Sequence, residues 1–490
     1  MKKWLLSLVT TLLCMGPVVQ VLAEETDTTS GASQETEWYA DPASLKEAYD
    51  IVIIGAGGGG MTAAITAKEA GADVAIFEKM PVAGGNTLKS SGGMNASETK
   101  FQKEQGIEDS NDLFYDETFA GGKETNDPEL LRYMVDHSAE AIDWLDSLGI
   151  TLNNITFSGG ASVARIHRPE DGSAVGGYLV EGLLRNVHEK EIPLFVNAEV
   201  TKINEADDKV SGVDVTVNGE SKTVAAKAVI VATGGFGGNL EMVSEIKPEL
   251  DGFVTTNQAG ALGDGIRMAQ EIGAAVVDMD QIQIHPTVEQ STSYLVTESV
   301  RGDGGILVNQ QGERFTNELL TRDVVSANII DLPEKYAYVI GDQRLKESVT
   351  AMNQYEEMGI VTKADTIEEL AQALDMPADT LKETLDTWNE AVKNKNDEAF
   401  GRETGMEHDL SHAPYYAIKI APGIHHTMGG LKIDPETHVL REDGSAIEGL
   451  YGAGEVVGGV HGSNRIGGNA VADIIVFGRQ AGKVASEFVK

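Results

Sequence analysis

A glycine-rich segment near residue 55 has the residue types and spacing of a phosphate-binding turn. Gly55, Gly57 and Gly60 form a G-x-G-x-x-G pattern. In this pattern the first glycine permits a tight turn, the second lets the backbone approach a pyrophosphate, and the third lets a helix pack closely on a strand. Glu78 follows Gly60 by 18 residues, where a carboxylate accepts hydrogen bonds from ribose hydroxyls. The spacing therefore predicts nucleotide binding.

The elements around this turn are those that position it on a nucleotide. Residues 51–54 are a short apolar run typical of a buried parallel strand, residues 61–70 read as a helix, and residues 73–77 form a second strand. The helix N-terminus of such a βαβ unit presents unpaired N–H groups and partial positive charge to phosphates. A later strand, 229–235, ends in Ala-Thr-Gly-Gly and predicts a second close approach of backbone to ligand.

The rest of the chain predicts an α/β fold, a Rossmann-like domain interrupted by an insertion. Alternating residues at 194–217 and 221–231 predict an antiparallel meander, while 126–148 and 366–393 predict helices. The segment 450–455 reads as a return to the nucleotide-binding domain, so that domain is discontinuous. The predicted segments are nucleotide-binding residues 48–277, an inserted α+β capping domain at 278–424 and nucleotide-binding residues 425–490, with a site in the cleft between the domains.

Composition excludes several classes of function. The chain has 490 residues, with 77 acidic and 38 basic side chains and a net charge of −39. This charge repels phosphate backbones, so we expect no nucleic-acid partner. The single cysteine, Cys14, leaves the sequence without a Cys-x-x-Cys-His haem attachment pattern or a cysteine-based zinc site. We predict no metal site.

The first residues have the pattern of a secretory signal. A basic start, an apolar stretch and a small-residue end at Ala23 make up residues 1–23. An uncleaved membrane anchor is the alternative, and lipidation of Cys14 is disfavoured because Leu13 stands where a small residue is expected. We predict cleavage near Ala23, a flexible linker at 24–47, an extracytoplasmic location (periplasmic, cell-surface or secreted) and no stable membrane span.

Several separated motifs together resemble the soluble fumarate reductase flavoprotein family, of the flavocytochrome c type without the haem domain. Its relatives include the flavoprotein subunits of succinate dehydrogenase, and the resemblance covers residues 49–488. Its motifs are 55–60, 84–87, 91–95, 283–287, 297–302, 312–318, 321–323, 425–430 and 459–469.

The resemblance implies FAD as the cofactor. In the respiratory members a histidine near the second glycine-rich segment holds FAD covalently, and Asn86 stands in that position here. Non-covalent FAD is therefore the expectation. The residues that the resemblance assigns to FAD are Ala56, Gly57, Gly60, Glu78, Asn86, Thr87, Ser91, Gly92, Gly93, Thr233, Gly234, Asp264, His426, Glu455, Asn469 and Ala470.

The resemblance further implies hydride transfer from N5 of reduced FAD to the alkene of fumarate, giving succinate. Arg465 lies in a glycine-rich loop, and a guanidinium binds a carboxylate with two hydrogen bonds. The other implied substrate-binding residues are His285, Thr297, Glu298 and His425.

Arg322 corresponds to the proton donor of the family. A guanidinium has a pKa above ~12 and rarely releases its proton. Hydride addition, however, leaves a strongly basic carbanion or enolate on the neighbouring carbon, which even a guanidinium can protonate. The resemblance gives Glu298 and Arg301 the role of passing a proton inward to reload Arg322.

Three alternatives stay open. The chain could reduce another unsaturated acid, of the urocanate, methacrylate or cinnamate type. It could be a non-catalytic flavin electron carrier, or a steroid dehydrogenase, although a charged cleft suits an apolar substrate poorly. The expected partners are fumarate, succinate or a similar dicarboxylate, and a separate electron donor: a flavinylated protein, a cytochrome or free reduced flavin.

Overall fold

The computed structural model describes residues 38–157 and 160–490. The predicted signal peptide, residues 1–23, lies outside these ranges, and so do residues 24–37 of the predicted linker. Residues 38–47 of that linker pack on the fold: the Trp38 ring stacks on His188 with 5.7 Å between centroids. An aromatic ring that finds such a partner buries apolar surface, which holds this stretch in place. No helix in the described part of the chain is long and apolar enough to cross a membrane.

Within the described residues, the strands form two large sheets and two small ones. They are β1 Ala48–Ile54, β2 Val74–Phe77, β3 Met94–Asn95, β4 Asn154–Thr156, β5 Ile166–Arg168, β6 Leu194–Phe195, β7 Ala198–Ala206, β8 Lys209–Val217, β9 Glu220–Val231, β10 Val276–Val277, β11 Ile282–Val288, β12 Ile306–Val308, β13 Ala337–Asp342, β14 Thr362–Ala364, β15 Tyr415–Thr427, β16 Gly430–Leu431, β17 His438–Leu440 and β18 Ala446–Gly452.

The helices flank these sheets. They are α1 Gly58–Glu69, α2 Gly85–Leu88, α3 Lys100–Glu104, α4 Asn111–Gly121, α5 Pro128–Asp136, α6 Ser138–Ser147, α7 Val175–Glu189, α8 Leu240–Ile246, α9 Asp264–Glu271, α10 Glu298–Gly302, α11 Arg322–Ile330, α12 Gln343–Ser348, α13 Ala351–Glu357, α14 Ile367–Ala373, α15 Ala378–Asn394 and α16 Asn469–Phe488, with 3-10 turns at Pro42–Ser44 and Pro248–Leu250.

The first large sheet is the nucleotide-binding one. Its strand order is β17-β18-β8-β9-β1-β2-β6, with β7 paired to β8. Strand β1 runs parallel to both β2 and β9, and β18 runs parallel to β9. A strand from late in the sequence therefore joins the sheet that β1 and β2 form. The apolar run in β1 is buried on both faces, as a central parallel strand must be. The predicted α/β class with a Rossmann-like parallel sheet is confirmed.

The second large sheet is antiparallel and has its own core. Its order is β11-β15-β13-β12, with β14 beside β15. It lies within residues 282–427, and the bounds 278–424 of an inserted capping domain stay a prediction. The long strand β15 continues past that boundary and carries His425 and His426 at its end, opposite the start of β11. The two sheets meet at the end of β15: the Phe236 N–H, after β9, donates to Thr427 Oγ1 at 3.4 Å, and the Thr427 N–H donates to Glu455 Oε1, after β18, at 3.1 Å.

The remaining secondary-structure predictions agree in type and differ in detail. Strands β7, β8 and β9 form the predicted antiparallel meander. The helix predicted at 126–148 is two helices, α5 and α6, that meet at His137. The helix pair predicted at 366–393 is α14 and α15.

Candidate active site

The glycine-rich turn after β1 has the geometry that its sequence predicts. Gly55 has a φ of +104°, in the region that favours glycine. A Cβ on Gly60 would overlap the Gly55 carbonyl oxygen, so helix α1 packs against the turn only because Gly60 has no side chain. The chain thus leaves β1 and enters α1 with the helix N-terminus facing a cleft.

Glu78 ends β2 beside this turn. Its carboxylate accepts hydrogen bonds from the backbone N–H groups of Ala56 and Met80, both at 2.9 Å. Burial raises the pKa of Glu78, while these N–H donors act in the opposite direction. The carboxylate is 8% exposed and lines the cleft, so it can accept further hydrogen bonds from a ligand.

A cleft lies beside the turn. It runs from the N-terminus of α1 past the ends of β1, β2 and β9 to the turn after β18. Eight of the residues assigned to FAD by resemblance line it: Gly57, Glu78, Asn86, Thr87, Thr233, Gly234, Asp264 and Glu455.

Asn86 is the centre of a hydrogen-bond network on one wall of the cleft. Its amide nitrogen donates to Asn257 Oδ1 at 2.6 Å and to Glu455 Oε2 at 3.2 Å, and its amide oxygen accepts from Gln258 N at 2.8 Å. Burial raises the pKa of Glu455. An asparagine with these partners is held in place by the protein and offers no nucleophile for a covalent bond to a flavin.

These residues fit a dinucleotide with a pyrophosphate. Gly57 caps α1, and the nearest atom to a Cβ built there is Thr87 Oγ1 at 3.9 Å, so the space in front of it is open. The Gly58 N–H donates to Thr87 Oγ1 at 3.0 Å. The first-turn N–H groups of a helix have no partner within the helix and are directed at an anion placed there.

The other residues assigned to FAD lie around the cleft rather than on its lining. Gly93 packs on the backbone of β5, where a Cβ would overlap the His167 oxygen. His426 Nδ1 lies 3.4 Å from Glu455 Oε1. Asn469 is the first residue of α16, and its Oδ1 accepts a hydrogen bond from Asn95 Nδ2 at 2.6 Å. Five assigned residues remain. Ala56 and Gly60 belong to the glycine-rich turn at 55–60, Ser91 and Gly92 lie in a loop, and Ala470 lies in the first turn of α16.

A second cluster of polar side chains forms where the two sheets meet. Strand β11 provides His285, helix α10 begins at Glu298, helix α11 begins at Arg322, the loop before α16 provides Arg465, and β15 provides His425. Glu298 and Arg322 are the first residues of their helices, His425 lies near the end of its strand and Arg465 lies in a loop, whereas His285 lies within β11. Rigid elements from distant parts of the sequence therefore position a single site.

Two arginines of this cluster share one acceptor. Arg322 Nη1 and Arg465 Nη2 donate to Gln283 Oε1 at 3.0 and 3.1 Å. Arg322 also donates to both oxygens of Glu298, from Nε at 2.7 Å and from Nη2 at 3.1 Å. Arg465 has no carboxylate partner among the described residues. Arg322 is thus paired with Glu298, whereas Arg465 is held only by neutral acceptors.

Burial and the charges of neighbouring side chains shift the pKa values of the cluster. Burial, and next the neighbouring Arg322, lower the pKa of Arg465 to about 9. Burial favours a raised pKa for Glu298, but the Arg322 guanidinium outweighs it and holds that pKa well below the usual range. The site is therefore cationic at neutral pH, inside a chain with a net charge of −39.

The two histidines of the cluster are neutral. Burial, together with the charge of Arg322, lowers the pKa of both His285 and His425 well below the ordinary value. Their rings meet edge to face, with centroids 5.2 Å apart. His285 Nε2 is buried without a hydrogen-bond partner, 3.8 Å from Glu298 Oε1. A buried ring nitrogen without a partner is costly unless a ligand satisfies it.

Arg301 and Thr297 lie beside Glu298 on α10. Arg301 Nη2 is 3.6 Å from Glu298 Oε1, and Arg301 Nη1 donates to the Glu318 carbonyl oxygen. Thr297 is the N-cap residue of α10, and its backbone N–H donates to Tyr355 Oη at 2.9 Å. The structure therefore brings all the residues assigned to catalysis or substrate binding into one cluster.

Sequence reasoning assigned no role to two residues that the geometry places in this cluster. Gln283 precedes His285 by two residues on β11, and this spacing puts both side chains on one face of the strand. That periodicity was a usable signal. Thr256, whose Oγ1 lies 2.8 Å from His425 Nδ1, is in an irregular loop that carries no motif.

The sequence matches the model of the FAD binding domain family over residues 50–471. It is 53% identical over 443 residues to an NADH:fumarate oxidoreductase of Klebsiella pneumoniae (strain 342), covering 90% of this chain and 48% of that protein. It is 43% identical over 447 residues to a fumarate reductase (cytochrome) of Shewanella frigidimarina, covering 91% of this chain and 78% of that protein. This chain thus spans about half the length of the first relative.

The fold is similar to a solved structure described as the open conformation of a flavocytochrome c3 fumarate reductase. The TM-score is 0.79, with 39% sequence identity, and the match covers 94% of this chain and 80% of that one. The similarity extends over both large sheets.

Proposed function

Since the chain belongs to the FAD binding domain family, we propose that it is an FAD-dependent reductase that converts fumarate to succinate. The observation that carries this proposal is the pair of guanidinium groups that meet at Gln283 Oε1, one of them without a carboxylate partner. Such a pair suits a doubly negative ligand. The names of the relatives and of the solved structure support fumarate as that ligand.

The substrate would be held at both of its carboxylates. Arg465 offers a fork of N–H donors on one side of the cluster, and His285 and His425 offer ring N–H donors to a carboxylate. Binding a dianion relieves the repulsion between Arg322 and Arg465, so the cost of burying both cations is offset only with substrate present. Fixing both ends also polarises the alkene between them.

Reduction needs a hydride on one alkene carbon and a proton on the other. Reduced FAD, when bound, supplies the hydride. Three of the five guanidinium N–H groups of Arg322 are held by Glu298 and Gln283, which fixes the group and leaves two N–H bonds for the substrate. We assign the proton transfer to this arginine.

Reloading Arg322 is assigned to Glu298 and Arg301. Glu298 contacts both arginines, at 2.7 Å and 3.6 Å. While Arg322 is charged, Glu298 is a poor base. Once Arg322 has lost its proton, the cation that depresses the Glu298 pKa is gone, so the carboxyl can take a proton from the Arg301 side and pass it on.

The test is turnover of a panel of unsaturated acids by the FAD-loaded chain, followed as oxidation of reduced methyl viologen. We expect fast turnover of fumarate and little turnover of urocanate, methacrylate or cinnamate, because these lack a second carboxylate for Arg465. Preference for one of those acids would contradict the proposed substrate and leave the flavin chemistry intact. FAD that binds but is not reoxidised by any acid of the panel would favour an electron carrier.

Gln283→Met is expected to lower kcat for fumarate by about tenfold to a hundredfold. The change removes the oxygen that both arginines share and leaves two buried donors unpaired, each worth about 1–3 kcal/mol. FAD content should stay at the wild-type level. Steady-state kinetics and the flavin absorbance of the purified protein measure the two quantities. Gln354→Met, on an exposed face of α13, is the matched control, and equal kinetics for the two variants would refute a role for Gln283.

Electron supply and location are also part of the proposal. We propose that FAD is bound non-covalently, because Asn86 stands at the wall of the cleft. The reducing equivalents would come from a separate donor, a flavinylated protein, a cytochrome or free reduced flavin. The signal-like pattern of residues 1–23 supports an extracytoplasmic location. Acid precipitation, which releases FAD only if no covalent bond holds it, tests whether FAD is bound non-covalently.

A further inference from the structure

The oxygen that Arg322 and Arg465 share belongs to an amide whose hydrogen-bonding positions are all occupied. Gln283 Oε1 accepts from the two guanidinium groups, and Gln283 Nε2 donates to Asn464 Oδ1 at 2.9 Å and to the Arg465 backbone oxygen at 2.8 Å. A primary amide has two N–H bonds and one oxygen with two lone pairs. The Gln283 amide therefore acts on the two arginines and has no further position for a ligand.

The chemistry of its neighbours fixes which end of the Gln283 amide faces the arginine side chains. A guanidinium can only donate, so the end that contacts both guanidinium groups must be the oxygen. A backbone oxygen can only accept, so the end that contacts the Arg465 backbone must be the nitrogen. The two N–H bonds then point at two separate acceptors, and together these acceptors fix the plane of the amide. Asn464 provides one of the two.

Asn464 is itself held in one orientation. Its Nδ2 donates to the Gly121 backbone oxygen at 3.1 Å, so that its Oδ1 faces Gln283. The backbone N–H of the preceding residue, Ser463, donates to Thr125 Oγ1 at 2.8 Å. The Asn464 side chain is buried, with the residue 5% exposed. The end of α4 and the loop after it therefore anchor Asn464 beside Gln283.

We propose that Asn464 is a positioning residue, which holds the Gln283 amide in the plane that lets one oxygen bind Arg322 and Arg465 together. Two guanidinium groups at a neutral oxygen repel each other, so the arrangement requires an acceptor that cannot turn away. The geometry does not depend on which acid is reduced, whereas its effect on turnover rests on the proposed function.

Replacing Asn464 would leave one buried N–H of Gln283 without an acceptor. An unpaired buried donor is costly, so we expect the amide to turn and Oε1 to leave at least one of the two arginines. Asn464→Leu removes both hydrogen bonds of the side chain and keeps its approximate size. We expect it to lower kcat by about tenfold, because Arg322 and Arg465 lose their shared support. A wild-type kcat in Asn464→Leu would refute the role of Asn464.

A crystal structure of the FAD-loaded Asn464→Leu protein tests the geometry without any turnover. We expect Gln283 Oε1 to lie within hydrogen-bond distance of one arginine side chain at most. Asn464→Asp keeps an acceptor for Gln283 Nε2 and should keep both contacts. Asn464→Ala gives the same test if Asn464→Leu does not fold. Two arginine contacts retained at Gln283 Oε1 in the absence of the Asn464 amide would overturn the inference.

A double variant tests whether Asn464 acts through Gln283. If it does, adding Asn464→Leu to Gln283→Met should leave kcat within about twofold of Gln283→Met alone. Asn186→Leu is the matched control, because Asn186 in α7 is also 5% exposed and donates to two backbone oxygens, those of Leu148 and Gly182. Its kcat should match the wild type. A double variant about tenfold slower than Gln283→Met would show that Asn464 acts by another route and would overturn the inference.

The choice of substrate separates this inference from the proposed function. The kinetics of the variants are measured with the acid of the panel that the wild type reduces fastest. If that acid is not fumarate, the proposed substrate fails, and the double variant still decides the role of Asn464. If no acid is reduced, the proposed function fails, and the crystal structures of the variants decide whether Asn464 holds Gln283.

Discussion

Arg322→Ala is expected to lower kcat for fumarate by about 10⁴ or more while FAD remains bound. Loss of a positioned proton donor alone costs about 10²–10⁴, and this variant also leaves the Glu298 carboxylate without its guanidinium partner. Arg322 does not line the cleft that fits FAD, so the flavin should be retained. Viologen-linked turnover and the flavin absorbance of the purified variant give the two quantities.

Two comparisons make this result specific to proton transfer. Arg132→Ala removes an arginine whose ion pairs are on the surface, and its kinetics should match the wild type. Arg322→Lys keeps a cation but not the fork that binds both Glu298 oxygens, so it should restore substrate binding more than kcat. A kcat within tenfold of wild type in Arg322→Ala would remove Arg322 from the mechanism and point to another donor.

The nucleotide-binding half could be predicted from the sequence because its rules are local. Gly55, Gly57 and Gly60 lie within one turn: Gly55 has a positive φ, a Cβ on Gly60 would overlap the Gly55 oxygen, and Gly57 leaves open space in front of α1. The apolar run of β1 likewise predicts a buried parallel strand by itself. The sequence could not show that 126–148 breaks into two helices at His137, since this break depends on packing against other elements.

The substrate cluster could be predicted only in part. Its arginines and histidines were assigned through resemblance, and their roles stay predictions that the proposed variants test. Gln283 joins two arginines that are 39 and 182 residues away in sequence, so its function exists only in the folded chain. Thr256, in a loop without a motif, contacts His425 across 169 residues of sequence. That contact leaves no spacing signal in a single sequence, whereas Gln283 is marked only by its two-residue spacing from His285.

The substrate site is positively charged, whereas the chain as a whole is negatively charged. An exterior dominated by carboxylates makes long-range attraction of a dianion unfavourable. The binding free energy must therefore come from contacts at short range, where Arg465 is buried, Arg322 is partly buried and both are little screened. The same burial lowers the pKa of Arg465 to about 9, so a dianion that neutralises the pair is bound most favourably below that pH.

Gly57→Ala is expected to lower the affinity for FAD by about a hundredfold or more without unfolding the chain. Gly57 has a φ of −74°, which alanine adopts freely, and the nearest atom to the new Cβ is 3.9 Å away. The methyl group would instead project into the open space in front of α1, where the pyrophosphate must approach the backbone. Titration of the apoprotein with FAD, followed by flavin fluorescence, measures the affinity.

Alanine variants of two further glycines serve as comparisons. Gly177→Ala, in α7, meets no atom within 4 Å and should leave FAD affinity unchanged, with slightly higher stability from better helix propensity. Gly60→Ala should instead destabilise the fold, because its Cβ would overlap the Gly55 oxygen. Circular dichroism and thermal unfolding distinguish the two defects. Wild-type FAD affinity in Gly57→Ala would place the pyrophosphate elsewhere, and an unfolded Gly57→Ala would show that the turn has less room than its geometry indicates.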